Sequence, residues 1–94
     1  MEKYLIINAD DYGSFLGANL ATQELLQKGC ITSSTVMLPC PWAKHACQWA
    51  AAHPEFSVGV HLTTTSEWND YRWGPVTDGR SLRDEEGYFW HEVD

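Results

Sequence analysis

Positive charge is scarce in this chain. Six Lys and Arg stand against 13 Asp and Glu in 94 residues, giving a net charge of −7 with neutral histidines. Phosphate backbones and anionic membrane surfaces are bound through basic patches, which this composition does not supply, so neither nucleic acid nor a membrane is an expected partner. No apolar run approaches the ~20 residues of a membrane span. The chain passes from Met1-Glu2-Lys3 straight into apolar sequence, without the basic region, apolar stretch and cleavage site of a signal peptide, and a cytoplasmic protein is expected. Cysteine is limited to Cys30, Cys40 and Cys47, an odd number without a Cys-x-x-Cys pair. That spacing suggests neither a disulfide framework nor a zinc ribbon; it predicts reduced, mostly buried thiols, with a catalytic role for one of them as the alternative. Internal repeats and low-complexity stretches are also lacking.

What is present fits a single small globular domain or part of a larger one, with 44% hydrophobic and 20% charged residues. Five tryptophans are many for this length. Aromatics at that density mean either a rich core or a surface that meets something flat, such as a sugar ring or another subunit.

The most informative stretch is Tyr4-Leu5-Ile6-Ile7-Asn8-Ala9-Asp10-Asp11-Tyr12-Gly13. Its apolar first half reads as a buried strand, and two adjacent carboxylates and a glycine stop it in an acidic turn. An ionised carboxylate is costly to bury unless it is paired, hydrogen-bonded or metal-bound, and ligands of parallel α/β sheets sit at the carboxyl ends of strands. Asp10 and Asp11 are therefore candidates for a site. The alternative is a plain turn, with one carboxylate capping backbone amides and the other in water.

Residues 18–28 carry Ala18, Ala21, Thr22, Leu25 and Leu26 at helical spacing, with Gln23, Glu24 and Gln27 off that face and Gly29 as the stop. Residues 30–38 are rich in β-branched and small side chains and end at Pro39, which predicts a second strand. Pro41 suits the first turn of a second helix over residues 42–52, ended by His53-Pro54. Residues 56–62 alternate as a third strand, with Val58, Val60 and Leu62 on a face suited to packing under helices and Ser57, Gly59 and His61 on the other. Strand, helix, strand, helix, strand implies an α/β fold, a parallel βαβαβ unit over residues 1–62. Residues 63–94 form a polar and aromatic loop region with turn signals at Asp78-Gly79 and Glu86-Gly87. Three strands and two helices leave an edge and a face of a parallel sheet open to water, so a piece of a larger fold or a self-associating homo-oligomer is expected.

His61 falls at the carboxyl end of the third strand, level with Asp10 and Asp11 and beside the hydroxyls of Thr63, Thr64 and Thr65. There it reads either as a metal ligand with supporting hydrogen bonds or as a loop histidine satisfied locally. The other histidines carry less signal: His45 lies within a helix, His53 at its end where it complements the dipole, and His91 in an acidic tail. Trp68, Tyr71 and Trp73 follow His61 closely, placed either to stack on sugar rings or to pack against further chain.

Four blocks in order, Asn8-Ala9-Asp10-Asp11-Tyr12-Gly13, Gly29-Cys30-Ile31-Thr32-Ser33-Ser34-Thr35-Val36-Met37, Val58-Gly59-Val60-His61-Leu62-Thr63 and Ser81-Leu82-Arg83-Asp84-Glu85-Glu86-Gly87-Tyr88-Phe89, resemble those of the YdjC-like carbohydrate deacetylases, which include chitooligosaccharide deacetylases. The resemblance covers nearly the whole chain. It implies an incomplete TIM-barrel-like (β/α) fold and metal-dependent removal of acetyl groups from N-acetylated sugars. It implies further that Asp11 and His61 are ligands of a divalent metal ion, magnesium or zinc, and that Asp10 is the catalytic base. A carboxylate and imidazoles around an ion with open positions suit that hydrolysis, the second carboxylate taking a proton from water. Two features depart from the pattern. Family members are about three times as long, and the histidine that supplies their third ligand lies in a downstream block that this chain lacks.

Overall fold

The computed structural model describes residues 1–92, so the last two positions of the expected 63–94 segment lie outside the described residues. The elements are β1 (Asn8–Tyr12), α1 (Leu16–Gln27), β2 (Ser33–Val36), α2 (Ala43–Ala52) and β3 (Ser57–Val60), followed by a short 3-10 turn at Arg80–Leu82. The strands form one parallel sheet in the order β1-β2-β3. The expected element order holds; β2, α2 and β3 are shorter than expected, whereas α1 begins two residues earlier, at Leu16.

The first strand differs in place. It is the acidic segment itself, Asn8–Tyr12, that pairs in the sheet. The apolar run before it is exposed, Leu5 at 75% and Ile6 at 79%. Only Ile7 is tethered: its N–H donates to Thr32 Oγ1 at 2.9 Å and its carbonyl accepts the Thr32 N–H at 2.8 Å. The physical reason is a shortage of layers. Both helices are used to cover one face of the sheet, where Tyr12, Val36, Ala43 and Ala46 form a buried cluster with Val58 packed against it. Nothing among the described residues remains to cover residues 4–7.

The same shortage corrects the reading of β3. Val58 packs under α2 as expected, but Val60 and Leu62 are exposed, Leu62 at 88%. On α1, Thr22 and Leu26 face inward as the spacing predicts, whereas Ala21 and Leu25 are exposed and the inner face is completed by Asn19 and Gln23. These amides are buried because partners await them. Gln23 Nε2 donates to the Tyr12 hydroxyl at 3.0 Å. Asn19 Oδ1 accepts the Gly13 N–H at 2.7 Å while its Nδ2 donates to the Trp42 carbonyl at 3.0 Å, so one side chain ties the end of β1 to the start of α2. Gly13 itself has φ +92°, and a Cβ there would stand 3.1 Å from Ala43 Cα. Glycine lets the chain turn left-handed and pass this close to α2.

The opposite sheet face is polar and open. Asn8 and Thr35 lie on it, with Asn8 Oδ1 accepting from Ser33 Oγ at 2.7 Å. Residues 63–92 then fold as irregular chain over a second cluster of Met37, Cys40, Trp73 and Phe89, with Tyr71 against it. No helix among the described residues is long and apolar enough to cross a membrane.

Candidate metal and catalytic site

Adjacent residues of a regular strand face opposite ways, so Asp10 and Asp11 should diverge. A bulge prevents this. Ala9 pairs with Ser34 and Tyr12 with Val36, which puts two residues of β1 opposite the single Thr35. Ser34 and Val36 share the helix-covered face, so Ala9 and Tyr12 share it too, and both intervening aspartates are left on the open side. Asp11 is the residue that absorbs the extra length, with φ 63° in the left-handed region. Asp tolerates that conformation better than most side chains.

His61 follows β3 directly, and its N–H continues the ladder to the Val36 carbonyl at 2.9 Å. Its imidazole is held by Asp11 rather than by the threonines. The Asp11 N–H donates to His61 Nδ1 at 3.2 Å, and Asp11 Oδ1 lies 3.4 Å from the same nitrogen. Thr63 Oγ1 bonds the His61 carbonyl instead, at 2.8 Å. Two donors held about 2.1 Å from one ion at a tetrahedral angle stand about 3.4 Å apart, so the observed pair has the spacing of two ligands of a single divalent ion. Both remain open to solvent, Asp11 with 56% and His61 with 31% of its side chain exposed. Among the described residues no group of three His, Cys, Asp or Glu side chains comes together.

Asp10 is exposed beside this pair, its Oδ1 accepting from Asn8 Nδ2 at 2.7 Å. Asn8 thus orients the carboxylate while itself being held by Ser33 from β2. The spacing of Asn8 and Asp10 at i and i+2 was the available signal for this pairing, since both fall on one strand face.

The aromatic residues after His61 separate in role. Trp68 is 42% exposed and lies 6.4 Å, centroid to centroid, from the half-exposed Phe15 at the start of α1. Trp73 is 3% exposed, its indole N–H donating to the Thr65 carbonyl at 2.8 Å, which commits it to packing. Tyr71 is half-buried against both rings, its hydroxyl donating to the Ser14 carbonyl. Phe15 escaped the sequence reading because a single aromatic before a helix carries no spacing signal.

The remaining titratable groups lie apart from this pair. Contrary to the expectation of mostly buried thiols, Cys30 and Cys47 are exposed and Cys40 alone is buried, where burial, reinforced by the negative charges of Asp11 and Glu67, pushes its thiol up to about 12. It is inert as a nucleophile. His45 meets Asn19 Nδ2 at 3.0 Å, His53 caps α2 through a 2.8 Å contact of its Nδ1 with the Trp49 carbonyl, and His91 is exposed.

A family model described as YdjC-like protein matches residues 4–94. A carbohydrate deacetylase of Geobacillus stearothermophilus is 40% identical over 89 residues, covering 95% of this chain and 34% of that protein. A chitooligosaccharide deacetylase of Yersinia enterocolitica is 36% identical over 88 residues, covering 93% and 32%. Among solved structures, one described as a candidate cellobiose-phosphate cleavage protein from Enterococcus faecalis V583 superposes with a TM-score of 0.76 at 33% identity, over 93% of this chain and 33% of the other. The chain spans about a third of the length of the curated relatives it matches. The ordered sequence blocks, the bulged acidic strand and these matches converge on one assignment: the chain belongs to the YdjC-like family.

Proposed function

We propose that this chain is the N-terminal part of a TIM-barrel-like hydrolase that removes acetyl groups from N-acetylated sugars, with a divalent ion, magnesium or zinc, held by Asp11 and His61. The 3.4 Å separation of Asp11 Oδ1 and His61 Nδ1 carries this reading. When bound, the ion supplies Lewis acidity toward an amide carbonyl. Asp10 acts as the base, accepting a proton from the attacking water on a carboxylate oriented by Asn8. Trp68 and Tyr71 line the approach, with the exposed Trp68 ring offering a flat apolar face to a sugar. The names of the matched relatives support a carbohydrate substrate.

Two protein ligands make a weak, wet site, and a further ligand from outside this chain would complete it. Binding of a divalent cation by the purified chain, measured by calorimetry, should therefore be weak, and Asp11→Ala and His61→Ala should each lower the affinity at least about tenfold. Unchanged affinity in both variants would overturn the metal assignment.

A second reading is favoured by the uncovered apolar surface. Leu5, Ile6, Val60 and Leu62 are exposed, and an open groove of about 220 Å³ lies between α2 and β3, lined by Leu38, Cys47, Ala50 and Val60. Taken alone, the chain would self-associate through these edges as a non-catalytic homo-oligomer. Light scattering that shows a well-folded monomer would remove that reading.

A further inference from the structure

Asp11 holds a left-handed backbone conformation, at φ 63°, in the middle of a sheet edge. Such a conformation is unfavourable for a side-chain-bearing residue and persists only where its surroundings impose it. The imposition is visible. The Asp11 carbonyl accepts two hydrogen bonds from one residue, Ser14 N at 3.2 Å and Ser14 Oγ at 2.6 Å. Ser14 is almost fully buried, and its own carbonyl accepts the Tyr71 hydroxyl, 57 residues further along the chain.

Tyr71 is fixed at its other end. Its ring packs edge-on against Trp73 at 6.1 Å and lies against the buried cluster of Met37, Cys40, Trp73 and Phe89. Trp73 is pinned in turn by its N–H to Ser66 Oγ at 3.1 Å and by its indole to Thr65. The aromatic segment therefore reaches the acidic bulge through the Tyr71 hydroxyl. Burial raises the Tyr71 phenol above its ordinary value, so the hydroxyl remains a donor at physiological pH.

We infer that Tyr71 is a positioning residue, its hydroxyl fixing Ser14 and through Ser14 the left-handed turn that aims the Asp11 carboxylate at His61. The inference rests on the proposed role of Asp11 in the site, but its geometry is readable without metal or substrate. Tyr71 is thereby taken out of direct sugar contact through its hydroxyl and given to the alignment of the two candidate ligands.

Tyr71→Phe keeps the ring and removes only the donor. Site-resolved amide exchange of the metal-free chain reads the consequence at the Asp11 N–H, which is bonded to His61 Nδ1. Exchange at Asp11 should quicken about tenfold, the loss expected when one hydrogen bond's worth of local restraint is removed, while the β2 amides keep their rates. Ser14→Ala, which removes one of the two donors to the same carbonyl, should show the same local pattern; it decides the matter should Tyr71→Phe fail to fold. An unchanged Asp11 rate in folded variants, or equal acceleration at Asp11 and throughout β2, would overturn the inference. A wild-type chain that binds no divalent cation would instead sink the metal reading and leave the exchange result standing.

Discussion

Tyr12 and Trp73 each occupy the centre of a buried cluster, and they are covered by different means. Around Tyr12 the cover is periodic: β1 and β2 contribute Tyr12 and Val36, α2 contributes Ala43 and Ala46, and ladder hydrogen bonds satisfy the backbone. Around Trp73 the cover is irregular: Met37 and Cys40, just past β2, meet Phe89 and Tyr71. There the backbone of residues 63–92 is satisfied piecewise, Ser66 N–H to the Trp90 carbonyl at 2.9 Å, Phe89 N–H to the Trp73 carbonyl at 3.0 Å, and Asp84 N–H to the Tyr88 carbonyl at 2.8 Å. Side chains substitute for ladders. Arg72 bridges Asp84 at 3.1 Å and also donates to the Phe89 carbonyl. A cover of periodic elements fails cooperatively, whereas one held by single side-chain contacts can open locally.

The sharpest way to break the first region is Gly13→Ala. An alanine would have to adopt φ +92° and place its Cβ 3.1 Å from Ala43 Cα and 3.3 Å from Val36 Cγ1. Strain of the positive φ and crowding against the backbone of α2 together should cost about 3 kcal/mol or more. Because Gly13 also donates to Asn19 and accepts from the Trp42 N–H at 3.1 Å, the loss should be global. Denaturant unfolding followed by far-ultraviolet circular dichroism and by tryptophan emission should shift to lower midpoint together. A shift confined to one probe would contradict the cooperative picture of this half.

Much of the first region was legible in the sequence because periodicity and stop signals act locally. Gly29 and His53-Pro54 end their helices where expected, and two adjacent carboxylates marked the candidate site. The bulge was not legible. Whether Asp10 and Asp11 diverge or share a side depends on the pairing of Ala9 and Tyr12 with β2, a non-local fact. Gln23 is placed outward by the sequence for a similar reason, since polarity alone assigns it to water, and Asn19 carries no signal there. What draws them inward is the Gly13 N–H and the Tyr12 hydroxyl, both buried groups that need partners. In residues 63–92 the turn signals were readable but the packing was not, because Trp73 and Phe89 meet across irregular chain that follows no period.

Gly74→Ala attacks the second region alone. A Cβ at Gly74 would fall 2.1 Å from the Gly87 carbonyl oxygen, so the paired segments around Trp73 and Phe89 must separate. Overpacking of this kind typically costs about 1–3 kcal/mol. Here the loss should be local: tryptophan emission should move to the red as Trp73 meets water, while the helical dichroism signal stays within error of the parent chain. Loss of that signal in parallel would show that the two halves unfold as one unit.

Acid should separate the halves more gently. Asp84 is pulled in two directions: burial raises its pKa, but the N–H groups of Tyr88 and Glu86 and the Arg72 guanidinium outweigh that and hold it below the usual carboxylate value. Asp78 is likewise held low by its hydrogen bonds to Arg83 and Arg80. Both belong to residues 63–92. A group whose folded pKa is depressed contributes stability that is complete above its unfolded value, about 3.9 for Asp, and is lost as pH falls through the folded value. Between neutral pH and about 5 the segment should therefore be indifferent to pH, and below about 4 it should loosen. Asp78 is exposed and adds little, so the effect should rest mainly on the half-buried Asp84. Asp84→Asn keeps the shape and removes the titration. Monitored by tryptophan emission, the parent chain should redden progressively below about pH 4 and the variant should show a flatter profile from an already loosened start. Identical acid profiles in the two proteins would assign the loosening to other groups and return the Arg72–Asp84 pair to a merely steric role.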